Sequence, residues 1–168
     1  NYGIQTFGWR YDTTGLTLDH VEINMNGNLN GKGIAFDNYT AKNVFFHNGS
    51  DCGHMGANVT VQDSRLDLSG FRSSDFRATL FTDCNLTRAD FAMADLCGAH
   101  FVRCDLTAAQ FSGAKMAGAR FTDCTLDGIG GVSAFEGANI VTGDLVGLSR
   151  ALAAALGISL ELSDPQTG

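Results

Sequence analysis

The chain has 168 residues, a formal net charge of −7, 21 glycines, 12 phenylalanines and one proline. The acidic balance argues against unassisted nucleic-acid binding, and no stretch is long and apolar enough for a membrane-spanning helix. Five cysteines make an odd count, which suits a reduced cytoplasmic setting.

Residues 1–15 show no clean period, and Phe7, Trp9 and Tyr11 are expected to cap one end of whatever follows. No signal-peptide pattern is visible, and Asn1 in place of Met allows for a segment upstream. Residues 16–61 carry short alternating apolar pairs, Leu16/Leu18, Ile23/Met25, Ile34/Phe36, Val44/Phe46 and Val59/Val61, punctuated by Asn28, Asn38, Asn43, Asn48 and Asn58. Asparagine suits turns because it tolerates left-handed backbone and bonds locally. The reading is two or so irregular coils of sheet-type backbone. Residues 47–56 have no apolar centre and read as a projecting loop. His47, Asp51, Cys52 and His54 there are metal-ligand types, but they fit no standard zinc spacing, so a polar loop is expected rather than a metal site.

From residue 62 a strict period of five begins. Leu66, Phe71, Phe76, Phe81, Leu86, Phe91, Leu96, Phe101, Leu106, Phe111, Met116, Phe121 and Leu126 follow one another at that spacing. Two residues before each stands a small one, including Cys84, Cys104 and Cys124. A period of five matches neither helix nor strand, and such repeats decide the fold. A second period of twenty lies on top: Cys84, Cys104 and Cys124 recur at it, as do Phe81, Phe101 and Phe121. Four units therefore make one turn of a coil. Layers stacked about 4.8 Å apart place like residues above like, with both columns pointing inward. The lone Pro165 lies outside the repeats, as a hydrogen-bonded ladder requires.

Cys84-Asn85-Leu86-Thr87-Arg88, Ala89-Asp90-Phe91-Ala92-Met93 and Ala94-Asp95-Leu96-Cys97-Gly98 are near-ideal copies of one unit. In these units the stretch resembles the pentapeptide-repeat family. The resemblance implies an all-β fold, a right-handed, four-sided parallel β-helix. It also implies that Asp75, Asp90, Asp95 and Asp105, each just before a repeat centre, bond backbone at the corners. Family members that act on gyrase carry loops between coils, which makes His47, Asp51 and His54 candidate partner-binding residues alongside those four aspartates.

Past Leu126 the glycines at 128, 130 and 131 make a bend, and units resume one residue early at Phe135, Ile140 and Leu145. The expected organisation is a β-helix over 1–147, with a cap at 1–15, degenerate coils at 16–61, regular coils at 62–126 and a last irregular coil at 127–147. A helix from about residue 148, with Ser149 as a possible N-cap and Gly157 as its stop, then leads into an alternating Ile158, Leu160, Leu162. A leucine stripe of this kind needs a partner. The gyrase-binding family members end similarly, in a helix and strand that join two subunits. Leu148, Leu152, Leu156, Ile158 and Leu160 are therefore the expected dimer interface, within a C-terminal module and tail at 148–168.

No Ser–His–Asp or Cys–His arrangement, phosphate loop or carboxylate cleft can be read from spacing. Asp12, Asp19, Glu22, Asp37 and Asp51 share no common offset that would suggest a carbohydrate-processing site. The expectation is a non-enzymatic, cofactor-free protein. The resemblance points to a DNA-mimicking homodimer that binds DNA gyrase or topoisomerase IV and gives protection from quinolones or gyrase-poisoning toxins. The alternative is an interaction module with another partner.

Overall fold

The structure, a computed structural model, describes residues 59–159 in full, together with the backbone of six short strands before them. The strands are β1 (Tyr11–Asp12), β2 (Thr17–Asp19), β3 (Glu22–Asn24), β4 (Phe36–Asp37), β5 (Thr40–Lys42), β6 (Phe45–His47), β7 (Thr60–Gln62), β8 (Leu80–Thr82), β9 (His100–Val102), β10 (Arg120–Thr122) and β11 (Asn139–Ile140), and one helix, α1 (Leu145–Ala155), follows. Every strand pairing is parallel, and the largest sheet runs β11-β10-β9-β8-β7-β5-β2.

The registers carry the coil length. Val61 pairs with Phe81, Phe81 with Phe101 and Phe101 with Phe121, each step being twenty residues. Phe121 then pairs with Ile140, so the last step is nineteen. Below β5 the coil is longer, since Leu18 pairs with Ala41 and Ile23 with Phe46. Beyond this sheet, three columns of single-residue bridges climb the molecule: Arg65–Asn85–Asp105–Thr125, Gly70–Asp90–Gln110–Gly130 and Asp75–Asp95–Lys115. One sheet and three bridge columns make four sides.

The corners explain the period of five. Along the regular coils, the residue two after each repeat centre has positive φ, as at Leu68 (60°), Ser73 (60°), Arg88 (59°) and Gly98 (69°). On three sides a turn bond closes the corner, such as the Ser69 N–H to the Leu66 carbonyl (3.2 Å) or the Ala99 N–H to the Leu96 carbonyl (3.0 Å). A left-handed residue third in such a four-residue turn is the type II arrangement. Asp or Asn before the centre stabilises it: the carboxylates of Asp75, Asp90, Asp95 and Asp105 accept the N–H groups of Arg77, Ala92, Cys97 and Thr107.

Inside, the apolar column from Leu66 to Leu126 is buried throughout. Phe81, Phe101 and Phe121 stack nearly parallel with centroids 4.9 Å apart, and Phe71, Phe91 and Phe111 stack at 5.1 and 5.3 Å. Rings from neighbouring sides meet edge to face, as Phe91 does Phe101 at 6.1 Å. Offset and edge contacts of this kind add to the burial of each ring.

The C-terminal cap differs from the sequence reading in three respects. Phe135 ends a 3-10 turn (Val132–Phe135) and lies half-buried against Phe111 and Phe121. Leu145 is exposed and opens α1 rather than centring a coil unit. Helix α1 begins at that residue, not near 148, and its N-cap is Asp144; Ser149 lies inside the helix and donates to the Val146 carbonyl (2.7 Å). The helix stops at Gly157, whose φ of 69° allows a Schellman ending in which the Gly157 and Ile158 N–H groups reach the Ala154 and Ala153 carbonyls.

Candidate interaction surface

Four groups of residues were singled out by the sequence, and the structure places them differently. The first is the cysteine column. At the corner after the sheet side no turn bond closes. There the thiols of Cys84, Cys104 and Cys124 each donate to two carbonyls, one two residues earlier and one in the coil below, at 3.3–3.5 Å. Ser64 heads the same column and donates to the Gln62 carbonyl (2.6 Å). The column therefore favours a compact donor, which Ala at the other corners is not. Hydrogen bonding from Cys104 lowers the Cys84 pKa against the opposing effect of burial. Contact with the Cys124 thiol lowers Cys104, but contact with Cys84 and burial outweigh it and push Cys104 up to about 12. Contact with Cys104, then burial, raises Cys124. Buried thiols bonded to backbone carbonyls in this way are packing residues. Among the described residues no group of three or more His, Cys, Asp or Glu could hold a metal ion.

The column ends in a carboxylate. The Cys124 N–H donates to Asp144 Oδ2 at 2.8 Å. Asp144 makes no side-chain bond to the helix it precedes. It instead ties α1 to the coil. Asp144→Ala is expected to destabilise the cap by about 1 kcal/mol or more, and amide exchange along α1 should accelerate while exchange at β8 and β9 does not.

The second group is the aspartates before repeat centres. Besides bonding backbone, Asp75 pairs with Arg77 (2.7 Å), Asp90 with Arg72 (3.7 Å) and Asp95 with Lys115 (3.9 Å). Those charges are locally balanced. Asp67 pairs with Arg65 and Asp83 with Arg103, both at 2.7 Å. The Arg103 guanidinium, bonded to the Asp83 carboxylate, holds it below the usual carboxylate range. What stays uncompensated by any ion pair among the described residues is Asp63, Asp105, Asp123, Asp127 and Glu136, all exposed, the half-buried Asp144, and the exposed bases Arg88, Arg120 and Arg150. The first four acids lie along one edge, where Arg65, Arg88 and Arg103 also stand. Asp63 and Asp123 occupy the corner after the sheet side, Asp105 lies on the adjoining bridge column, and Asp127 follows Thr125 of that column. Of these, the sequence reading had only Asp105. The sequence carries no signal for the others: Asp63 has Arg65 two positions on and Asp123 has Arg103 twenty before, and those arginines pair instead with Asp67 and Asp83.

The third group is the C-terminal leucines. Leu148 and Ala151 are buried against the end of the coil, and Gly147 lets the helix approach, since a Cβ there would lie 3.2 Å from the Leu126 carbonyl carbon. Leu148 is thus used within the chain, which differs from its expected place at an interface. Leu145, Val146, Leu152, Leu156 and Ile158 are exposed. Leu145, Leu152 and Leu156, at i, i+7 and i+11, form one apolar stripe. Leu160 lies outside the described residues.

The fourth group, the loop with Asp51 and His54, also lies outside the described residues, as does the side chain of His47, whose backbone ends β6. No helix among the described residues is long and apolar enough to cross a membrane.

Comparison with known proteins follows the coil. Residues 57–130 match the family model described as a pentapeptide repeat region. No match is found among curated proteins. Among solved structures, trypsin-treated QnrB1, a plasmid-mediated fluoroquinolone resistance protein, is similar at 14% identity and a TM-score of 0.40, covering 87% of this chain and 97% of that one. Full-length QnrB1 gives 16% identity and 0.36, covering 76% and 71%. HetL, a pentapeptide repeat protein involved in heterocyst differentiation regulation from the cyanobacterium Nostoc sp. strain PCC 7120, gives 16% and 0.31, covering 70% and 48%. At these identities the likeness concerns the fold alone. With thirteen inward centres at a spacing of five on four stacked sides, residues 57–130 are a pentapeptide-repeat region with the right-handed parallel β-helix of that family.

Proposed function

We propose that the chain is a non-enzymatic, cytoplasmic protein-binding rod that occupies the DNA-binding surface of a type II topoisomerase, DNA gyrase or topoisomerase IV, and so protects it from quinolones or gyrase-directed toxins. The observation that carries this reading is the row of Asp63, Asp105, Asp123 and Asp127 along one edge of the coil, exposed acids that form no ion pair among the described residues. A rigid rod with such a row offers a basic, DNA-binding groove the charge pattern it is built to receive. The family resemblance supplies the identity of the partner.

A homodimer is part of the same reading. The stripe Leu145, Leu152, Leu156, with Val146 and Ile158 beside it, is a contiguous apolar patch at the rod's end, of the kind that marks an interface. Leu152→Asp with Leu156→Asp is expected to give a folded monomer by light scattering, because neither side chain supports the coil. Its activity should fall at least tenfold. A double variant that stays dimeric would place the interface elsewhere.

The near balance of the regular coils, nine acids to seven bases over residues 61–129, favours a second reading, an interaction module for a different protein. A supercoiling assay with gyrase separates the two. Titrating the protein with and without a fluoroquinolone should restore supercoiling lost to the drug, or inhibit it at higher protein. No effect at micromolar protein on gyrase or topoisomerase IV leaves the second reading.

A further inference from the structure

Cys84, Cys104 and Cys124 stand at one spacing and in one conformation. Backbone pairings in register flank them on both sides, Thr82–Val102–Thr122 two residues before and Asn85–Asp105–Thr125 one residue after. Each sulfur lies 3.4–3.5 Å from the carbonyl 23 positions earlier and 3.3–3.4 Å from the carbonyl two positions earlier. Two equivalent anchors set the same rotamer in each coil, so the sulfurs repeat with the layers, about 4.8 Å apart. None of the three residues is more than 6% exposed.

That separation suits one kind of ligand. A zinc–thiolate bond is about 2.3 Å long, and two bonds of that length in line span about 4.6 Å. Zinc itself takes four ligands, and among the described residues no group of three ligating side chains is placed to hold it. Soft cations that bind two thiolates in a straight line need only two neighbouring sulfurs, and thiolate is the side-chain ligand that selects soft cations. When a divalent cation of this class enters, two S–H bonds break, two metal–sulfur bonds form and two protons leave to water. The site stays neutral, as a buried site must to avoid the cost of an uncompensated charge. The carbonyl oxygens then gain a second use. Phe81 O, in the coil below Cys104, borders the gap between the Cys84 and Cys104 sulfurs, and Phe101 O borders the gap above it. Each turns the negative end of its dipole toward the place a cation would take.

We infer that Cys104, with Cys84 below it or Cys124 above it, is a two-coordinate site for a soft, linear-binding cation such as mercury(II). Cys104 is the ligand both gaps share. Cys84 and Cys124 are two layers apart, about 9.6 Å, too far for one ion to bridge. The full chain carrying Cys52→Ser and Cys97→Ser, which leaves only the three column thiols, is the background for the test. Mercury(II) chloride titrated against a competing monothiol should bind at one equivalent, with two protons released per ion and the cooperative melt retained. Cys104→Ser in that background should weaken binding at least hundredfold, while Cys84→Ser and Cys124→Ser, which each remove one thiol as well, should stay within tenfold of it. Serine already fills this position at Ser64, bonded to the Gln62 carbonyl, and Cys104→Ala repeats the test with the residue of the other corners. Equal losses in the three serine variants would mean that single thiols bind the ion, and would overturn the inference. So would binding that survives both Cys104 variants, or binding that abolishes the cooperative melt.

Discussion

Replacing Phe101 with Asp should abolish cooperative folding, and replacing it with Ala should cost about 3–5 kcal/mol. Phe101 is fully buried between the stacked rings of Phe81 and Phe121 and meets Phe91 at its edge. The alanine change removes ring contacts in the coil above, the coil below and across the lumen, and the ladder bonds on both sides hinder collapse of the cavity. The aspartate change adds an unpaired charge with no route to water, because the strand carrying it is paired on both edges. Against a total stability of about 5–15 kcal/mol for a domain, that is enough to unfold the coil. Urea unfolding followed by circular dichroism checks both. A soluble Asp variant that melts cooperatively near the parent midpoint would contradict the inward assignment of the column.

Gly131→Ala should rank next, at about 3 kcal/mol, while two neighbouring glycines should tolerate the same change far better. At Gly131 φ is +73°, and an added Cβ would lie 2.3 Å from the Ser112 nitrogen and 2.6 Å from the Phe111 carbonyl carbon. Those are backbone atoms held by their own coil. At Gly130 the atoms nearest an added Cβ are the end of the Gln110 side chain, which is exposed and can swing away. At Gly128 nothing lies within 4 Å and only the left-handed φ of 65° opposes alanine, at about 1 kcal/mol. Three melts therefore separate close approach from conformational strain. The expected order of loss is Gly131, then Gly128, then Gly130.

The inward column was legible because its signal is local and repeated. Leu66 to Leu126 recur at one spacing, and a side chain facing a closed lumen has no alternative but to be apolar. Corner geometry was less so. Ten corner residues with positive φ are not glycine, so composition gave no sign of left-handed backbone at Leu68, Met93 or Arg103. Helical period placed a leucine stripe after residue 145 but not its direction. Leu148 and Leu152 look alike in sequence, and the Asp144 tether, together with the close approach at Gly147, turns the first inward and the second out. Charge was hardest to read. Asp83 finds Arg103 twenty residues away, whereas Asp75 finds Arg77 two away. Which acids remain free depends on both distances at once, and the sequence alone did not separate Asp63, Asp123 and Asp127 from the balanced ones.

Competition between this protein and a short DNA duplex for gyrase tests the proposed function most directly. With labelled duplex bound to gyrase, added protein should displace it in full. A variant carrying Asp123→Lys and Asp127→Lys, whose side chains are exposed and the first of which stands at a corner that Arg103 fills one coil below, should need at least tenfold more protein to do so, with the difference shrinking as salt is raised. A ternary complex in which gyrase holds the duplex and the protein together would contradict DNA mimicry.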